Sequence, residues 1–133
     1  MNTEQLFISH SFSYDNQLQD LRNLLDERNY FKYESHEIEK EEPIESENAY
    51  YIKSKITEKL KQSNVFLVIA GMYTNNSDWI KWEINKAKEI GLKIIGVKPR
   101  GNKIVPTDIT EKADEIVNWD TESIVEAIRK YKK

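Results

Sequence analysis

Trp79 and Glu83 stand four residues apart in the segment Ser77-Asp78-Trp79-Ile80-Lys81-Trp82-Glu83. On a helix that spacing places the indole and the carboxylate on one face, about a turn apart. Near the start of a helix, a carboxylate at the border of the buried stripe is partly desolvated and feels the positive end of the helix. Such a group suits glycosidic chemistry. When a bond between a sugar and a base nitrogen breaks, the sugar acquires oxocarbenium character; an adjacent carboxylate stabilises that cation or holds the ribose hydroxyls. An aromatic face can position the leaving base. A second group, Ser9-His10-Ser11-Phe12, offers two hydroxyls, an imidazole that titrates near neutrality and a ring for stacking, and Tyr73 offers another ring. Each also has a plainer reading. Glu83 could pair with Lys81 or Lys86 on a solvated helix face, Trp79 and Trp82 could pack, and His10 could be a loop hydrogen-bonding residue. Ser9 and Phe12 could close a loop, Ser11 or Ser13 could cap a helix, and Tyr73 could fill space.

The elements that must position these residues follow from hydrophobic pattern. Leu6-Phe7-Ile8 reads as a buried strand ending in the Ser9 loop, and Leu18, Leu21, Leu24 and Leu25 mark an amphipathic helix from about Tyr14 to Arg28. Phe31-Lys32-Tyr33 reads as a short second strand. The glutamate-rich stretch from Glu34 to Asn48 reads as a loop, solvated or gating the entry of substrate. Ile52, Ile56 and Leu60 predict a helix between Ala49 and Gln62. Val65-Phe66-Leu67-Val68-Ile69, continuous and branched, predicts a strand covered on both faces. Asn75 to Asp78 supply helix caps before a helix from about Trp79 to Ile90, whose core stripe is Ile80, Ile84, Ala87 and Ile90, with Gly91 at its end. Lys93 to Val97 and Glu115 to Trp119 read as the last two strands, Pro99 to Pro106 as a loop, and Ile124, Ile128 and Tyr131 as a terminal helix. Strand and helix alternate throughout, so the expected fold is a doubly wound α/β sheet, five-stranded and parallel, with helices on both faces. In such a sheet the ligand lies beyond the carboxyl ends of the strands, where the strand order reverses.

Composition narrows the chemistry further. The 133 residues suit one domain spanning 1–133, able to bury roughly two-thirds of its unfolded surface without metal or crosslink. With no cysteine, disulfide scaffolds, thiolate metal sites and cysteine nucleophiles are excluded together. Twenty basic and 23 acidic residues, scattered along the chain, argue against a nucleic-acid partner. The apolar run from Val65 to Met72 is shorter than the roughly 20 residues of a membrane span, and no signal-like segment opens the chain, so a cytoplasmic protein without membrane attachment is expected. Dinucleotide and nucleotide folds that rely on glycine are excluded too: the Ser9-His10-Ser11-Phe12 loop contains none, and no Walker loop exists. A phosphoacceptor aspartate is missing where Ala70, Gly71 and Met72 follow the third strand.

On these features the chain resembles the Toll/interleukin-1 receptor (TIR) superfamily, specifically the bacterial TIR-like proteins of the Thoeris antiphage defence system. The resemblance rests on Leu6 to Phe12, Ser63 to Ile69, Tyr73 to Trp79 and the W-x-x-x-E of Trp79 and Glu83, in that order over about Glu4 to Tyr131. It implies a flavodoxin-like, TIR-type fold and cleavage of NAD at the nicotinamide–ribose bond, with Glu83 as the catalytic glutamate and Ser9, His10, Ser11, Phe12, Tyr73 and Trp79 as substrate contacts. NAD is then a substrate, and no cofactor or metal is implied. For the Thoeris branch the product is a cyclic ADP-ribose isomer that signals to a separate effector protein; self-association stays open. The first loop lacks the arginine common in receptor-type TIR domains and the acidic segment lacks glycine, which favours an enzyme over an adaptor. Two other classes remain: a TIR-type interaction module without catalysis, and an enzyme similar to nucleoside deoxyribosyltransferases. Hydrolysis and cyclisation differ only in what captures the ribosyl cation.

The Glu83→Gln variant is expected to keep the fold and lose product formation from NAD; turnover retained in that variant would refute the role given to Glu83.

Overall fold

The computed structural model describes residues 3–9, 15–37, 47–69, 77–98 and 107–133. Along these the elements run β1 (Glu4–Ser9), α1 (Asp15–Asp26), β2 (Tyr33–His36), α2 (Ala49–Lys61), β3 (Val65–Ile69), α3 (Ser77–Ile90), β4 (Ile94–Val97), α4 (Thr107–Lys112), β5 (Glu115–Val117) and α5 (Thr121–Tyr131). The strands form one sheet in the order β2-β1-β3-β4-β5, parallel at every pairing. This is the expected doubly wound α/β architecture. From β1 the chain steps outward to β2, and from β3 it steps the other way to β4, so the order reverses between β1 and β3.

Two apolar layers enclose the sheet. Leu6 and Ile8 of β1 pack with Leu18, Leu21 and Leu25 of α1 and with Ile124, Val125 and Ile128 of α5. Phe7 belongs to the opposite layer, with Ile56 and Leu60 of α2, Trp79, Ile80 and Ile84 of α3, and Ile109 of α4. Successive strand residues point to opposite faces, so β1 serves both layers in turn. Phe7 lies in register with Phe66 of β3, and their rings stack with centroids 5.5 Å apart and planes 7° from parallel. Every residue of β3 and β4 is buried, as a continuous branched run requires.

Helix α3 begins at Ser77, and its stripe of Ile80, Ile84 and Ala87 is buried as the periodicity predicts, while Ile90 is only half-buried. Its end is set by Gly91, at φ +96°, where a side chain would be strained. The Gly91 and Leu92 amides both donate to the Ala87 carbonyl, at 3.0 and 2.9 Å, closing the last turn.

One expectation needs correction. The second strand is Tyr33–His36, two residues beyond the predicted Phe31-Lys32-Tyr33, so Glu34, Ser35 and His36 belong to the sheet rather than to a loop. Phe31 instead fills the α1/α5 layer and stacks on Tyr33 at 5.8 Å. Among the described residues β2 pairs only with β1, and a sheet edge tolerates such polar residues. The remainder of the acidic segment, residues 38–46, lies outside the described residues. The helix α4 is one that no periodicity announced: its Ile109 lies over Gly96 of β4. A Cβ at Gly96 would fall 2.6 Å from Ile116 Cδ1 and 3.2 Å from Ile109 Cγ2. No helix among the described residues is long and apolar enough to cross a membrane.

Filling this contact should cost stability: Gly96→Val is expected to destabilise the fold by about 1–3 kcal/mol through overpacking, read from urea unfolding.

Candidate active site at the β1/β3 switch point

Ser9 is the last residue of β1 and pairs with Val68 of β3. It lies two residues beyond Phe7, so it faces the same layer and points toward α3. From α3, Trp79, Ile80, Glu83, Ile84 and Ala87 fall on one stripe, and all five are buried. The polar member of that stripe meets the polar end of the strand. Ser9 Oγ donates to Glu83 Oε1 at 2.6 Å, and both residues are 0% exposed. That distance is in the short range seen when a hydroxyl donates to a carboxylate.

Glu83 is therefore deeper than its position at the border of the apolar stripe predicts. A solvated helix face does not describe it: the residue is buried, and the Lys86 ammonium is engaged by Glu89 at 3.3 Å. Nor does it sit at the helix terminus. It is the seventh residue of α3, about 9 Å along the axis from the start, while the influence of a helix dipole fades within the first turn.

Trp79, one turn before Glu83, is 2% exposed and is part of the α2/α3 apolar layer. Trp82 is half-buried against that layer, with the Lys53 ammonium of α2 5.7 Å from its ring centroid. His10, Ser11, Phe12 and Tyr73 lie outside the described residues, as do Ser13 and residues 70–76. Ser9 and Glu83 are thus brought together, with Trp79 packed alongside on the same helical stripe.

One polar residue on the same sheet passed unnoticed in the sequence. His36 ends β2 and its Nε2 lies 2.7 Å from Gln5 Oε1 of β1. Burial, followed by the nearby Lys59 charge, holds its pKa below the ordinary histidine value. An isolated histidine near the start of a glutamate-rich stretch carries no pattern that could have singled it out. Among the described residues no three His, Asp or Glu side chains converge as metal ligands. Two surface hollows, one lined by Val117, Asn118, Glu126 and Lys130 and one by Asp26, Phe31 and Glu34, lie elsewhere.

Comparison with known proteins adds a family and a fold. A family model described as the TIR-like domain of the Thoeris protein ThsB matches residues 7–104. Curated proteins yield no match. Among solved structures, a 2-deoxyribosyltransferase from Bacillus psychrosaccharolyticus is similar with a TM-score of 0.54 at 16% identity, covering 84% of each chain. A CMP N-glycosidase from Clostridium botulinum is similar with a TM-score of 0.54 at 12% identity, covering 95% of this chain and 99% of that one. A de novo designed Rossmann 2x3 protein gives 0.51 at 15% identity, over 97% and 90%. At these identities the likeness is one of fold.

The packing of Trp79 leads to a measurable cost. Trp79→Ala is expected to destabilise the chain by about 3–5 kcal/mol in denaturant unfolding, as for other large aromatics removed from a core.

Proposed function

This chain belongs to the Thoeris ThsB family of TIR-like domains, and from that premise we propose that it is an enzyme that cleaves the nicotinamide–ribose bond of NAD, using Glu83. The observation that carries the proposal is the burial of the Glu83 carboxyl, held 2.6 Å from the Ser9 hydroxyl at the point where the strand order reverses. A buried carboxyl is costly to keep, and an apolar side chain would satisfy the stripe of α3 at lower cost. Its retention at the carboxyl end of β1 fits a role in charge stabilisation.

In the proposed reaction the bond between ribose C1′ and the pyridinium nitrogen breaks, and its electron pair leaves with nicotinamide, which departs neutral. The sugar is left with oxocarbenium character, and the carboxylate of Glu83 stabilises that positive charge. Water then adds at C1′ and loses a proton, giving ADP-ribose, or an atom of the same nucleotide donates its electron pair to C1′ and the nucleotide releases a proton, giving a cyclic isomer. A site that excludes water would favour the second outcome. The cyclic product would act as a diffusible signal to a separate effector in antiphage defence, in keeping with the family.

A second reading is favoured by the solved structures. Two of the similar folds carry names that denote chemistry on nucleosides and nucleotides, a 2-deoxyribosyltransferase and a CMP N-glycosidase. The same carboxyl could serve a nucleoside in place of NAD. A TIR-type interaction module without catalysis is the remaining alternative, and it gives the buried carboxyl no task.

Incubation of the full chain with NAD, with deoxynucleosides and with CMP, each followed by chromatography, separates these readings. Release of nicotinamide from NAD, with ADP-ribose or a cyclic isomer as the second product, is expected. Base release from deoxynucleosides or CMP with NAD untouched would transfer the assignment to the second reading. No product from any of the three, in vitro and in phage-infected cells, would leave the interaction module.

A further inference from the structure

The sequence offers Ser9 as a substrate contact, but its hydroxyl has another partner. A serine hydroxyl carries a single proton, and at Ser9 that proton is given to Glu83 Oε1 at 2.6 Å. The residue is 0% exposed and its backbone is held by the β1/β3 pairing at Val68, so the donor is anchored on an inner strand of the sheet. Glu83 has three side-chain torsions and sits on a different element, α3. Burial of the α3 stripe sets where the carboxyl lies, and a short hydrogen bond from the strand constrains how its plane is turned.

We propose that Ser9 is a positioning residue, one whose hydroxyl fixes the orientation of the Glu83 carboxyl from the end of β1 and which acts on substrate only through Glu83. The proposal rests on the reading of Glu83 given above. A misplacement of about 1 Å in a reacting group can cost on the order of a hundredfold in rate, so a side chain that fixes orientation is visible in turnover even though it never meets the ligand. A positioning residue and a substrate contact differ in kinetic signature. Loss of a contact shared by bound substrate and transition state raises KM, whereas loss of orientation lowers kcat.

Two measurements on the full chain test this. The first is steady-state NAD turnover by Ser9→Ala. Its kcat is expected to fall by about 10- to 100-fold, the worth of a hydrogen bond to a charged group, with KM for NAD within about twofold of the parent. The second does not depend on turnover: the ¹³C carboxyl resonance of Glu83, identified by its disappearance in Glu83→Gln, is expected to shift in Ser9→Ala while those of the other glutamates stay in place. If Ser9→Ala fails to fold, Ser9→Cys replaces it, since it keeps a weak donor, and an intermediate kcat is then expected. A raised KM with kcat preserved would overturn the proposal and make Ser9 a substrate contact. An unchanged kcat and an unmoved resonance would overturn it as well. Should the parent chain leave NAD intact, the NAD reading fails, and the resonance alone decides Ser9: a shift retains it as the residue that holds Glu83, and no shift removes it.

Discussion

A carboxyl group enclosed by a sheet and a helix survives only if something replaces the water it has lost. Here that replacement includes one hydroxyl, given by Ser9 to Glu83 over 2.6 Å. Stripping a polar group of solvent without compensation costs several kcal/mol, more than most single packing contacts return. The surrounding structure therefore has to be stable for other reasons. The stacked Phe7 and Phe66, the wholly buried β3 and β4, and the four apolar residues of the α3 stripe provide that stability, and they also narrow the geometry at the carboxyl. The same contacts that hold the fold together thus aim its most expensive side chain.

The solved structures that resemble this chain divide the question of fold from the question of chemistry. Two are enzymes by name, and the third is a designed protein whose described feature is its fold. All three are similar at comparable levels, so the architecture by itself assigns no reaction. What bears on chemistry in this chain is residue-level: a glutamate where the helical stripe calls for an apolar side chain, and a serine at the carboxyl end of a central strand. The family adds the defence context to that pair.

Much of this was legible in the sequence because it is written in hydrophobic period. β3 could be read to its exact ends, since five consecutive apolar residues admit little else, and the face of α3 followed from Ile80, Ile84 and Ala87. The helix α4 was not legible: its six residues contain one apolar side chain, Ile109, and a single point has no period. β2 was displaced because its polar sequence, Tyr33-Glu34-Ser35-His36, belongs to an edge where pairing with one neighbour suffices, while the apolar Phe31 before it looked more like a strand. For the candidate site, spacing placed Glu83 and Trp79 on one helical face. Their depth was not readable, because burial depends on how α3 is set against β1, seventy residues earlier in the chain. The link from Ser9 to Glu83 joins residues 74 apart, and no local pattern encodes it.

The division of β1 between two layers has a consequence for how this chain can change. Its side chains alternate, Leu6 and Ile8 toward one layer and Phe7 toward the other with Ser9. Deleting a single residue from the strand would therefore exchange its left and right hands, turning an isoleucine toward Glu83 and the hydroxyl toward the α1 side. Removing two would restore the handedness but draw the donor back by about 6.6 Å, beyond any hydrogen bond. Length variation among descendants of this chain is thus barred from β1 by arithmetic rather than by the chemistry of any one side chain, and must be absorbed in the connections between elements.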